Sequence, residues 1–293
     1  MKKPLLNPQA AVGAEPDEVE LRQPDILTVF KVVWFSTRSF FTERPGQIIG
    51  SAFILLMLWG THGKLELLGQ IWPDWRGPGV ALGSRPQLLA GVPWDNELIS
   101  FCAGALLLVG IPIALIKLVF KQPLSRYGLG LPPKGRRALA AKGFLTLMLL
   151  CLPAFWFATT DASMRQLYPF FRPFPSVGSF IAYSLFYLLF FIAIEFIFRG
   201  YLLFGLEHVL DEETGQSEGG VTGEFYFGKY ALLIQMLSYT AWHLGKPLPE
   251  LWGTLVWGLA VGALAYTVRS IWPVVLAHWL LNVVFDAIVL GYL

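Results

Sequence analysis

The sequence predicts an all-α, polytopic membrane protein of about seven transmembrane helices, preceded by an amphipathic helix lying at the membrane interface. Three observations predict it. Hydrophobic residues make up 55% of the 293 residues and charged ones only 14%, against about 25% charged in ordinary soluble domains. Mean hydropathy is +0.56. The charges are also crowded into short stretches, which leaves long charge-free runs close to the ~20 helical residues that a bilayer core requires.

Residues 1–24 are polar, with Pro4, Pro8, Pro16 and Pro24 and the acids Glu15, Asp17, Glu18 and Glu20. Such a composition cannot bury a core and reads as a disordered cytoplasmic tail. The Met-Lys-Lys start lacks a following apolar segment, so no cleaved signal is expected. Residues 25–44 form the amphipathic helix: Asp25 can cap it, and Ile26, Val29, Phe30 and Val33 recur at helical spacing before Pro45. The membrane domain is 45–293, with candidate spans at 46–61, 98–116, 143–160, 178–208, 230–245, 251–268 and 271–290. The first and fifth of these are short and the fourth is long. Cys102 and Cys151 both fall in apolar runs, so buried free thiols are expected and a disulfide framework is not.

Charge sets the orientation. No acid occurs between Glu97 and Asp161, while Lys117, Lys121, Arg126, Lys134, Arg136, Arg137 and Lys142 share one short loop. The positive-inside rule makes that loop cytoplasmic, and the N-terminus with it. The loop 62–97, with Trp72, Trp75 and Trp94, is then outside, as is 161–176 with Tyr168, Phe170, Phe171 and Phe174. The acidic, glycine-rich stretch 211–228 is expected to be a mobile cytoplasmic loop.

The chemistry begins at Glu195. Residues 173–194 carry no Asp, Glu, Lys, Arg or His, and then Glu195 and Arg199 follow four residues apart, on one face of a helix. A charge at bilayer depth costs roughly 2.5–3.5 kcal/mol even on the lenient insertion scale, so such residues usually face a polar interior. A structural pair tying helices together is one reading. Two histidines favour another. His243 ends the fifth apolar run, and His278 opens the seventh, followed at i+4 and i+8 by Asn282 and Asp286. A carboxylate and a neutral imidazole can share a water as general base, while a second imidazole and an amide can serve an oxyanion. Counted from the inner face at about 1.5 Å per residue, Glu195 and His278 come out on the order of 10 Å deep. His243 comes out nearer 20 Å, unless the segment 245–249, with Lys246 and two prolines, bends back into the protein.

Glu195-x3-Arg199-Gly200, Tyr239-x3-His243 and His278-x3-Asn282, in this order on separate spans, resemble the CPBP family of intramembrane glutamic endopeptidases. This family comprises the CAAX prenyl-protease and bacteriocin-processing, or Abi, proteins. The resemblance covers about 178–286, within a motif-bearing core of 178–290. It implies a helical membrane core enclosing a cavity, and metal-free hydrolysis of a peptide bond by a glutamate-activated water, with no cofactor. The implied site is Glu195, Arg199, His243, His278 and Asn282: His243 assists the water, and His278 and Asn282 serve the oxyanion. The implied partners are a membrane-associated peptide or protein and the bilayer, with no nucleic acid. The implied location is a bacterial-type inner membrane, with cleavage near the cytoplasmic leaflet. Two departures stand out. Tyr239 replaces the family's usual Phe, and Ile194 replaces the first of two adjacent glutamates, the one generally taken as the water activator. Neighbouring helix positions point about 100° apart, so Glu195 is not a free substitute. A non-proteolytic scaffold or regulator, a metalloenzyme using Glu195, His243 and His278, and a transporter stay open as other readings.

Overall fold

In the computed structural model, which describes residues 26–60, 92–207 and 221–293, the apolar runs fold as helices and no strand occurs among them. The expected tail 1–24, the outer-loop tryptophans Trp72 and Trp75, and residues 211–220 of the acidic loop lie outside the described residues. The chain divides after Ser39. In its first part, α1 (Ile26–Thr42) covers the expected amphipathic segment, with Ile26, Val29, Phe30 and Val33 exposed.

In the second part, α2 (Arg44–Trp59) carries Pro45 in its first turn, where a missing N–H leaves no helical bond unmade. Next, α3 starts as Asp95–Ala105 and runs on through two π-helical stretches, Leu106–Gly110 and Leu115–Val119. Then α4 (Arg137–Ala158) rises to the short α5 (Ala162–Leu167), whose first turn is capped by the Asp161 carboxylate accepting from the Met164 N–H. The long helix α6 runs as Val177–Glu195 and changes to π-helical turns over Phe196–Phe204. It is followed by α7 (Val221–Trp242), α8 (Leu248–Val268) and α9 (Trp272–Val289).

Among the described residues, five helices are long and apolar enough to cross a bilayer: Glu97–Val119, Lys134–Ala158, Val177–Glu207, Leu248–Val268 and Trp272–Val289. The two short runs are the ones that fall outside this set. Run 46–61 lies on α2, of 16 residues, and run 230–245 on α7, whose Gln235 turns from lipid to bond the Gly258 carbonyl of α8 at 2.8 Å. Helices α7 and α8 pack closely because glycine lets them. A Cβ at Gly262 would stand 2.4 Å from Gln235 Nε2 and 2.6 Å from a Leu232 methyl.

The 31 residues of Val177–Glu207 span roughly 46 Å at 1.5 Å per residue, longer than a hydrocarbon core of ~30 Å. Its two ends therefore mark two ends of the bundle. At one, Glu207 pairs with Arg269 at 2.5 Å, Arg136 donates to the Thr267 carbonyl at 2.9 Å, and Trp272 donates to the Leu129 carbonyl at 2.9 Å. Gly128 turns there at φ +71°, and a side chain would strike the ring of Phe204 at 2.5 Å. This end carries the basic loop. At the other end, Trp242 of α7 donates to the Gly60 carbonyl at 3.0 Å, and Phe180 meets Tyr292 at 5.3 Å between ring centres. Between the ends, α6 threads the core, its Tyr183, Tyr187, Phe190 and Phe191 rings buried and in tilted or edge-to-face contact.

Candidate functional site

Glu195 ends the regular α-helical part of α6 and is completely buried. Arg199, one turn on, brings Nε to 3.3 Å from Glu195 Oε2, and it too is completely buried. The guanidinium lies over the face of Tyr239 from α7, 4.1 Å from the ring centre, a contact worth about 2 kcal/mol when water is excluded. The other carboxylate oxygen, Oε1, accepts from Nδ1 of His278 on α9 at 2.6 Å. Arg199 pairs with the carboxylate, and a carboxylate only accepts. The imidazole therefore presents its Nδ1 proton inward, and its Nε2 edge is left for the cavity that His278 lines. Phe191 and Trp257, at 4.7 and 5.0 Å from the imidazole, hold the ring in place.

That cavity has a volume of about 650 Å³ and runs between α4, α6, α7, α8 and α9. Its walls include His243, His278 and Asn282, among Phe155, Phe157, Trp257 and Phe285. Tyr239 stands between the imidazoles, 4.4 Å from His243 and 6.5 Å from His278 by ring centres. The Asn282 amide donates to the His278 carbonyl on its own helix at 2.9 Å and faces the cavity from one turn beyond that histidine. Of the neighbours in the first motif, Ile194 lines the cavity and Glu195 does not. The carboxylate sits behind His278 and the isoleucine fills the wall. The π-helical register begins only after Glu195 and leaves it pointing away.

His243 sits in the turn that closes α7. Its Nδ1 is 2.7 Å from the Tyr239 carbonyl, which can only accept, so Nδ1 carries the proton and Nε2 of the neutral ring carries the lone pair. Facing Nε2 at 3.6 Å is Oε1 of Glu250, in the first turn of α8. Glu250 Oε1 also receives Lys246 Nζ at 2.8 Å and the Tyr168 hydroxyl at 2.8 Å. Within the segment 245–249 the Lys246 side chain is buried, while Gly245, Leu248 and Pro249 are exposed. Reasoning from sequence missed this trio. Its one signal was the i, i+4 pair Lys246–Glu250 bounding an apolar run. Among the described residues, no three His, Cys, Asp or Glu side chains come together as a metal would need: Glu195 has turned to His278, and His243 to Glu250.

Fold and site define an all-helical, multi-pass membrane protein that encloses an ionisable cluster at an apolar cavity. Residues 176–284 match the family model described as Rce1-like, type II CAAX prenyl endopeptidase Rce1-like. Over this segment the match supports the resemblance to the CPBP/CAAX protease family that the motifs at Glu195, His243 and His278 carry. No curated protein and no solved structure matches the chain.

Proposed function

We propose that the protein hydrolyses a peptide bond in a membrane-associated peptide or protein, with the scissile carbonyl held between His243 and His278. The observation that carries this reading is the common cavity: two imidazoles, His243 at the end of α7 and His278 on α9, each with Nδ1 committed to an acceptor, line one cavity. His278 and Asn282 serve the oxyanion. For His278 to donate from Nε2 its ring must carry both protons, and the Glu195 carboxylate is placed to stabilise that cation. Glu195 and Arg199 position His278 and do not touch the substrate. The mainly apolar walls suit the side chains of a peptide more than a polar solute.

The cavity also includes Thr160, Asp161, Lys246 and Pro249, which belong to the end of the bundle away from the basic loop. With that loop and the N-terminus cytoplasmic by the positive-inside rule, the peptide enters from the non-cytoplasmic face of a cell membrane. This differs from the cytoplasmic-leaflet expectation because α7 runs its full length before delivering His243.

The test is direct. Purified protein in lipid nanodiscs is incubated with a tryptic digest of total membrane protein, and new peptide termini are read by mass spectrometry. New termini with the wild type, and none with His243→Ala or His278→Ala, are expected. A digest left unchanged by the wild type would sink the reading in favour of a non-proteolytic scaffold, and cleavage that survives in the His243→Ala/His278→Ala double variant would place the chemistry elsewhere.

A further inference from the structure

Two hydrogen-bond acceptors face each other across the cavity wall. The Tyr239 carbonyl fixes the proton of neutral His243 on Nδ1, so Nε2 offers a lone pair, and 3.6 Å away stands Oε1 of Glu250. Two lone pairs so close repel unless a donor lies between them. Lys246 and Tyr168 donate to Oε1 from the carboxylate's own side at 2.8 Å each, and neither reaches His243 in a hydrogen bond. Oε2 is buried and accepts no hydrogen bond. One water molecule can donate a hydrogen to each of the two facing atoms, which leaves its oxygen lone pair directed away from both. That is the arrangement of a general-base pair holding a nucleophile.

The opposite wall supplies a second observation. Ile194 lines the same cavity and brings no acid to it, while Glu195 is spent on Arg199 and His278. Among the described residues lining this cavity, Glu250 and Asp161 are the carboxylates. Asp161 is committed to capping α5 through Met164. Glu250 alone of the two reaches an imidazole.

We propose that Glu250 is a catalytic residue: from α8 it supplies the carboxylate that α6 does not bring to the cavity, and with His243 it holds and deprotonates the attacking water. The proposal rests on the protease reading. In the step, an O–H bond of water breaks and its proton passes to the His243–Glu250 pair, while the oxygen forms a bond to the scissile carbonyl carbon. The resulting oxyanion meets His278 and Asn282. The C–N bond then breaks, the pair returns the proton to the leaving nitrogen, and a carboxylic acid and an amine result. Lys246 and Tyr168, each donating to Oε1, keep Glu250 aimed.

The same nanodisc assay tests this, with a peptide found cleaved in the digest and resynthesised. Glu250→Gln keeps the shape and the Tyr168 and Lys246 neighbours, and is expected to lower kcat by at least about 100-fold with KM within about threefold. Adding Ile194→Glu to Glu250→Gln, which returns an acid to the cavity from α6, is expected to recover at least about tenfold of that loss. Should Glu250→Gln fail to accumulate, Lys246→Met/Glu250→Met removes both charges together and is expected to fold and be inactive. Wild-type cleavage with Glu250→Gln, or the double Met variant, within threefold of it would overturn the role of Glu250 and leave the protease reading standing. No cleavage by the wild type would overturn both.

Discussion

Glu195 Oε1 and His278 Nδ1 meet at 2.6 Å across 83 residues of sequence, and through that bond an i, i+4 ion pair inside one helix comes to aim an imidazole on another. The carboxylate is shared: Arg199 takes one oxygen and His278 the other. Glu195 does not itself line the cavity, so its loss acts on chemistry by way of His278 and on stability by way of Arg199.

Glu195→Gln should therefore show two separable effects. It strips a fully buried arginine of its counter-charge, which costs about 3–5 kcal/mol, read as a lowered melting temperature in nanodiscs. It also frees His278 to rotate and take the wrong tautomer, so kcat should fall by roughly 10²–10⁴-fold, KM changing little. Glu195→Gln/Arg199→Met, with both charges gone, should regain much of the stability and none of the activity. Turnover within threefold of wild type in either variant would show that His278 does not depend on Glu195.

Asn282 gives a cleaner contrast. Its amide bonds only its own helix, donating to the His278 carbonyl, and the side chain is part-exposed to the cavity. Asn282→Ala should leave the melting temperature within a degree or two of wild type and lower kcat by about 10²–10³-fold, the loss typical of one oxyanion donor. A large loss of stability with kcat intact would make Asn282 structural.

Orientation follows from the two ends of the bundle. With Cys102 and Cys151 replaced by alanine, single cysteines at Ser125, beside the basic loop, and at Thr160, by the cavity, should react with a membrane-impermeant maleimide from opposite sides of intact cells. Thr160→Cys should label from outside and Ser125→Cys only after lysis. The reverse pattern would return the site to the cytoplasmic face.

The packing of α7 on α8 sets where His243 and Glu250 meet. Gly262→Val places atoms where Gln235 Nε2 already stands, 2.4 Å from a first added carbon. Overpacking of this kind costs about 1–3 kcal/mol. The shift separates the two helices that carry His243 and Glu250, so cleavage should fall well before the protein melts. Activity and melting temperature both unchanged would show that the interface has slack.

The sequence by itself determined what is local. Long apolar runs make helices at these places because a bilayer leaves the backbone no other partner, and the roughly 100° step between helix positions already turned Ile194 and Glu195 to different sides. The spacing of Glu195 and Arg199 was enough to pair them, and the order of the motifs was enough to recognise the protease family that residues 176–284 match. Tertiary structure decided everything that depends on which helix lies beside which. Glu195 turned out to serve His278, because α9 packs against the buried side of α6. His243 came to face Glu250, because the turn after α7 brings the start of α8 beside it, with buried Lys246 bonded to the same carboxylate. Pattern along one chain sets which way a side chain leaves its own helix; only packing between helices sets what it meets a few ångströms on, and catalysis is a matter of those few ångströms.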